Sequence, residues 1–339
     1  MKLIGALLCL LFVCSVSASG DKRLNSKQRH QRSLTHSMGA EAGRSYFNRV
    51  ASFLICSQQE PNCNVDTETV AEIVSASEDG MTLIYSDSEL GALGFVDISD
   101  PSKPMGAGVL DLGGEPTSVS VLGGYALVGI NDSEDFINTA GRLLVVDIDA
   151  QTVVATHELG GQPDSVAVSP DGSYIAVCIE NERDEDLGDG VPPQMPAGFL
   201  VVVDTTTSMD PAMWSPTVVA MTDLPGVKFP EDPEPEFVAI NADNVAVVTL
   251  QENNAIVLVD LASASVTVSF SAGSVDLTLV DVEEEGIIDQ SASLSDVPRE
   301  PDGVVWIDTR YFATADEGDL DGGSRGFTIF DTMTNSPVY

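Results

Sequence analysis

Short runs of β-forming residues, split by turn chemistry, recur along this chain. The clearest copy lies between Pro163 and Asp204. Val166 and Val168 mark one run and Ile175 and Val177 a second; Ser169-Pro170-Asp171-Gly172 between them has hairpin-turn composition. A third apolar run, Phe199 to Val203, stops at Asp204. This pattern predicts a three-stranded meander with an acidic insertion between its second and third strands.

The meander repeats. Pro116 to Asp147, Pro235 to Asp260 and Pro301 to Asp331 carry the same order of runs, and Ala71 to Asp97 is a weaker copy. The third strands end at Asp97, Asp147, Asp204, Asp260 and Asp331, spaced by 50, 57, 56 and 71 residues. A fourth, outer strand is expected after several units, as at Thr152 to Leu159 and Ser265 to Phe270. A period near 50 built from short strands predicts an all-β fold, a β-propeller of four-stranded blades, about five of them visible. The pattern stops eight residues after Asp331, which reads as a ring truncated at its C-terminal side. Tyr46 to Cys56, with Phe47, Val50, Phe53 and Leu54, reads as a further strand ahead of the first unit.

Two segments of another kind precede the propeller domain, which is expected over 46–339. Residues 1–18 have the form of a secretory signal: Lys2, an apolar core from Leu3 to Val13, and the small residues Val16-Ser17-Ala18. The core is too short to span a bilayer, and no transmembrane segment is expected. Residues 19–45 are basic, with Lys22, Arg23, Lys27, Arg29, Arg32 and Arg44, and show no apolar periodicity, so a disordered arm is expected.

Charge then inverts. From Val50 onward seven basic residues face fifty-one acidic ones, a formal balance of −44. Such a body has no basic stripe for nucleic acid and is repelled by anionic membranes. Divalent cations, cationic proteins and mineral surfaces are the partners it favours. Acidity that serves only solubility is the competing explanation.

In a propeller, the loop joining second to third strand emerges beside the loop that leads into each first strand. Both sets are acidic here. The lead-in loops are Glu115-Pro116-Thr117, Gln162-Pro163-Asp164, Glu234-Pro235-Glu236 and Glu300-Pro301-Asp302. Aligning the second strands on Tyr125, Tyr174, Ala246 and Tyr311 puts Asn131, Glu180, Glu252 and Glu317 at one position, a ring of oxygens around the channel mouth. Crowded carboxylates repel unless cations bind between them, and hard oxygen donors suit Ca²⁺. Two loops are further metal candidates. Glu317, Asp319 and Asp321 with Gly322 have part of a calcium-loop spacing, although the twelfth position is Thr328. Asp184, Asp186 and Asp189 lie in the acidic insertion.

Catalytic constellations are otherwise scarce, and no catalytic residue is assigned. His157, on an expected outer strand, is the one histidine of the body, and no nucleophile elbow or phosphate loop occurs. Arg310 and Arg325 flank the last acidic loop and could hold an anion such as a phosphoryl group. Cys56 and Cys63 are a plausible disulfide in a secreted chain, whereas Cys178 reads as a buried small hydrophobe. Asn131-Asp132-Ser133 is a glycosylation sequon.

The stretches P-E-F-V-A-I at 235–240, V-T-L-Q-E-N-N-A-I at 248–256, R-E-P-D at 299–302 and A-D-E-G-D at 315–319 resemble the choice-of-anchor I domain family. That group includes mesenchyme-specific cell-surface glycoproteins of biomineralising animals. The resemblance covers about residues 46–339. It implies a seven-bladed, phytase-like propeller that is secreted or held at the cell surface, with calcium-linked roles in some members and phosphatase or esterase-like assignments in others. Asp316 stands where the family pattern has Asn, and the segment from Ser271 to Asp296 is short and acidic. The expectation is therefore a secreted, acidic, Ca²⁺-binding propeller serving as a matrix, surface or biomineralisation-related scaffold, not an enzyme. A metal-dependent phosphoester hydrolase is the alternative, and a metal-free protein-interaction propeller the second.

Overall fold

A computed structural model describes residues 48–59, 63, 68–283, 285–318, 320 and 322–339. The expected signal segment and the whole of the basic arm lie outside these residues, as do Asp319 and Asp321. The described chain is built of antiparallel sheets in chain order. The first sheet comprises Ala71–Ala76 (β1), Thr82–Asp87 (β2), Ala92–Asp97 (β3) and Met105–Asp111 (β4). The second comprises Glu115–Leu122 (β5), Tyr125–Asn131 (β6), Gly141–Asp147 (β7) and Thr152–Glu158 (β8). The third comprises Pro163–Val168 (β9), Tyr174–Ile179 (β10), Phe199–Asp204 (β11) and Pro216–Ala220 (β12). The fourth comprises Pro235–Ile240 (β13), Val245–Leu250 (β14), Ala255–Asp260 (β15) and Ser265–Ser271 (β16). A two-stranded hairpin, Ser274–Val280 (β17) and Ala292–Pro298 (β18), precedes the fifth sheet: Pro301–Trp306 (β19), Tyr311–Asp316 (β20), Gly326–Asp331 (β21) and Ser336–Pro337 (β22).

Each four-stranded sheet is a meander whose first strand is innermost, and β1, β5, β9, β13 and β19 pack on one another in that order. This is the propeller arrangement, with five blades. The turns follow the local chemistry. Ser169 and Asp171 close the β9–β10 turn, with the Asp171 carboxylate accepting from Ser169 Oγ at 2.8 Å and from the Ser173 amide at 2.9 Å. Gly172 there has φ +73°, a conformation that costs a residue with a Cβ about 1–2 kcal/mol. The five recurrent aspartates share one task. Asp97, Asp147, Asp204, Asp260 and Asp331 each end a third strand and accept an amide two or three residues on, at 2.8–2.9 Å.

The same aspartates give a common register for packing. The residues two and four before them form one face of each blade: Leu93 and Phe95, Leu143 and Val145, Leu200 and Val202, Ile256 and Leu258. The residues one and three before them form the other face. Four apolar clusters fill the spaces between consecutive blades, each joining the first face of one blade to the second face of the next. In the second cluster, for example, Leu143 and Val145 meet Val201 and Val203. Branched apolar side chains at every other position are what such stacked, doubly covered sheets need.

One expectation changes. The stretch before the first unit forms no strand where it is described: Val50 and Leu54 are exposed, and only a short helix, Cys56–Gln59, follows. Residues 50–55 instead lie against the first blade, and Cys56 and Cys63 are disulfide-bonded. The acidic stretch after Ser271 is the β17–β18 hairpin, standing outside the blades.

Candidate functional site

The inner strands begin alike. Ala71, Pro116, Pro163, Pro235 and Pro301 each sit at or next to the strand start, where the missing N–H of the four prolines matters least. Each pairs with a residue near the end of the second strand, and in all five blades the ladder then slips, a bulge placed at the same point. Bulges bend a strand and re-aim its side chains. The residues carried at that point are Glu72, Thr117, Asp164, Glu236 and Asp302. Four of the five blades thus carry a carboxylate at this position, the third, fourth and fifth in succession.

These carboxylates feel one another. Burial, and then the charges of Asp302, Glu182, Glu72 and Glu252, push Asp164 up to about 8. Burial raises Glu236 well above the usual carboxylate range, helped by Glu252, Glu180, Asp302 and Asp164. Glu180, just past β10, is raised in the same way by burial, Asp164 and Glu252. Asp302 reaches about 7 through burial and a hydrogen bond shared with Glu317. The Gln251 amide, oriented with its nitrogen toward Glu236, donates to both of that residue's carboxylate oxygens at 2.6 Å.

Beside this cluster the acidic insertion supplies a cation. Arg183, 4% exposed, donates from Nη1 to Glu234 at 3.1 Å and to Glu252 at 2.8 Å, and from Nε to the Gly190 carbonyl at 3.0 Å. Gln194 of the same loop donates its backbone N–H to the Asp232 carboxylate at 2.5 Å. Burial and the nearby Glu252 still hold Glu234 at about 8, against the opposing pull of Arg183. The insertion between β10 and β11 is thereby fastened to the fourth blade.

The register corrects one expectation. Tyr125, Tyr174, Val245 and Tyr311 each pair with the capping aspartate of the next strand, so Val245 and not Ala246 is the equivalent residue. Counting from there, the rim position holds Asn131, Glu180, Gln251 and Glu317, and Glu252 lies one residue beyond it, on Arg183. Glu317 is 45% exposed on its side chain and takes Arg325 at 3.1 Å. Asp184 accepts from the Asp186 amide at 3.0 Å, while Asp186 and Asp189 are exposed. Among the described residues no group of three or more His, Cys, Asp or Glu side chains is gathered closely enough to hold a metal ion. The donors around the channel are of the hard type that Ca²⁺ takes, but they would have to draw together to ligate it.

Arg310 and Arg325 do not share a site. They precede Tyr311 and Gly326, which lie at opposite ends of the β20–β21 pair. Arg310 is bidentate on Asp331, at 2.8 and 2.5 Å, and Arg325 is on Glu317. His157 is buried, bonded to the Pro211 carbonyl at 3.0 Å and stacked on Trp214. Cys178 is buried in β10, its thiol pushed up by burial. Asn131 ends β6, its side-chain oxygen accepting from the Ser133 amide at 3.0 Å.

Sequence reasoning recognised the acidic lead-in loops but placed the oxygen ring on the other set. Asp164, Glu236 and Asp302 carried a usable signal, a proline followed by an acid at the start of three inner strands. Arg183 carried none, since its partners lie 51 and 69 residues away.

Comparison with known proteins gives a family match. The model of the choice-of-anchor I domain matches residues 72–322. No curated protein matches. Solved structures with similar coordinates include hydrazine synthase of Kuenenia stuttgartiensis, 14% identical with a TM-score of 0.44, covering 77% of this chain and 83% of that one. A chain of a mitotic checkpoint complex is 12% identical with a TM-score of 0.49, covering 81% of this chain and 65% of that one. Among the described residues no helix is long and apolar enough to cross a membrane.

Proposed function

We propose, from the premise that this chain belongs to the choice-of-anchor I domain family, that it is a secreted or cell-surface propeller whose channel carboxylates take up Ca²⁺. Its role is that of a binding and scaffold protein in an extracellular matrix or at a mineral surface, and not that of an enzyme. The observation that carries this reading is the convergence of Asp164, Glu236 and Asp302 from three successive bulged strands, joined by Glu180. Burial and, after it, mutual repulsion raise their proton affinity, and a divalent cation relieves that repulsion without a proton. Asp319 and Asp321, with Glu317, remain candidates for a second cation position on the spacing of the sequence. The sequon at Asn131 belongs to the same reading, since a glycan there stands on the side of the mouth where the second blade supplies Thr117 in place of a carboxylate.

Thermal unfolding of the mature chain tests the proposal at fixed ionic strength, first in EDTA and then in millimolar Ca²⁺ or Mg²⁺. A ligand that binds the folded state alone stabilises it, by about 2.7 kcal/mol at a hundredfold excess over Kd. The expected outcome is a rise with Ca²⁺ that Mg²⁺ does not match and that Glu236→Gln or Asp164→Asn reduces. An identical midpoint in EDTA and Ca²⁺ would remove the cation from the function and leave an acidic interaction scaffold.

A further inference from the structure

The seam between the β10–β11 insertion and the fourth blade holds two carboxyl groups whose hydrogen bonding is incomplete. They belong to the loop ahead of β13, whose backbone is set by Asn253, itself buried. Asn253 donates from Nδ2 to the Lys228 and Asp232 carbonyls, at 2.8 and 2.9 Å, and accepts the Glu234 amide on Oδ1 at 2.9 Å. With that backbone fixed, Asp232 and Glu234 both turn to the insertion. Asp232 Oδ2 accepts the Gln194 backbone N–H, Glu234 Oε2 accepts from Arg183, and the Pro233 carbonyl between them accepts the Gly198 amide at 2.8 Å. Both side chains are fully buried. The second oxygen of each, Asp232 Oδ1 and Glu234 Oε1, meets no hydrogen-bond donor among the described residues.

A buried carboxylate oxygen with no partner is costly, and more so beside other negative charges. Three acids, Asp232, Glu234 and Glu252, are buried here around one buried guanidinium, that of Arg183. The Asp232 charge is among those that raise Glu234, which places the two carboxyl groups within electrostatic reach of each other. Water at the two open oxygens supplies hydrogen bonds but no charge. A divalent cation supplies a ligand for both oxygens and the compensating charge together.

We propose that a hard divalent cation, Mg²⁺ or Ca²⁺, is held between the insertion and the fourth blade by Asp232 Oδ1 and Glu234 Oε1, with water completing its shell. One or two carboxylates with several waters is a usual donor set for such ions, Mg²⁺ above all. The ion and the insertion then support each other. Gln194 and Arg183 hold the outer oxygens of the two carboxyl groups, and the ion offsets the repulsion between the groups so held. The site uses none of the channel carboxylates Asp164, Glu236 and Asp302, and it stands or falls separately from them.

Amide hydrogen exchange of the mature chain tests this at fixed ionic strength, in EDTA and then in millimolar Mg²⁺ or Ca²⁺, read in peptides covering 184–196. The expected result is exchange about tenfold slower in the insertion with cation than in EDTA. Asp232→Asn and Glu234→Gln each remove that difference, whereas Asp164→Asn, in the channel, leaves it. Unaltered exchange of β6 and β7 in EDTA shows that the variants are folded. Should Asp232→Asn or Glu234→Gln fail to fold, Asp164→Asn still decides, because a channel variant keeps the local slowing if the ion sits under the insertion. No slowing with either cation would leave water at these oxygens and overturn the inference, whatever calcium does to the unfolding midpoint. Slowing that survives Asp232→Asn, or that disappears with Asp164→Asn, would also overturn it, the latter by assigning the effect to an ion in the channel.

Discussion

Asp164 shows what a single carboxylate does in this channel. Held at about 8 in the fold and near 3.8 when unfolded, it binds a proton more tightly in the native state. Its contribution to stability is complete below about pH 4 and is lost as pH rises toward 8. Asp302, at about 7, and Glu234, at about 8, act in the same direction. In the absence of divalent cations the protein should therefore unfold at a higher temperature at pH 5.5 than at pH 8.5. Asp164→Asn should flatten that profile, gaining roughly 1–3 kcal/mol at the alkaline end. The capping aspartates work the other way: Asp97 and Asp260 accept backbone and side-chain hydrogen bonds and lie below the usual range. The same residue type is thus a turn-former at one end of a blade and a repelling charge at the other. A profile that falls with acidification between pH 8 and 5 would contradict the assignment of the channel cluster.

At the scale of elements, the insertion between β10 and β11 depends on one side chain. Arg183 ties it to Glu234 and Glu252 of the fourth blade, with all three buried. Removing one partner of a buried ion pair typically costs about 3–5 kcal/mol, because the charge left behind has no compensation. Arg183→Met should lower the urea midpoint accordingly, more at pH 8.5 than at pH 6, where Glu234 can take a proton instead. Limited proteolysis should then cut between 184 and 196, where the native insertion resists. An unchanged midpoint at both pH values would mean that the loop is held by the Gln194–Asp232 bond and its backbone contacts alone. The strands around this loop were legible in advance, because turn residues and alternating apolar runs are local signals. The loop's attachment was not, because a charge pair that bridges two blades leaves no periodic trace.

Across the whole molecule the dominant quantity is charge. Fifty-three acidic residues against fifteen basic ones leave few opposite charges to pair with, and the compact state brings the excess together. Monovalent salt shortens the Debye length from about 14 Å at 0.05 M to about 4 Å at 0.5 M. The unfolding midpoint in EDTA should rise by a few degrees over that range, the scale of about 1 kcal/mol in a chain of this size. This general screening is the baseline above which a specific calcium effect must stand. A midpoint indifferent to salt would show that the exposed acids are too far apart to burden the fold.

By itself the sequence determined the all-β meander, the five repeats, the aspartate that ends each third strand and the acidity of the channel-side loops. Each is written in short-range pattern or in composition, and pattern at a period of two or of about fifty residues survives translation into any register. Only the tertiary structure decided which oxygens meet. An alignment anchored on Ala246 in place of Val245 moves the rim position from Gln251 to Glu252, and pairing with Asp260 is what fixes the choice. The bulge near the start of each inner strand and the burial of Arg183 between two glutamates likewise follow from how strands and blades seat on one another. Those contacts join residues tens of positions apart, and their energy depends on burial and distance that no stretch of sequence carries.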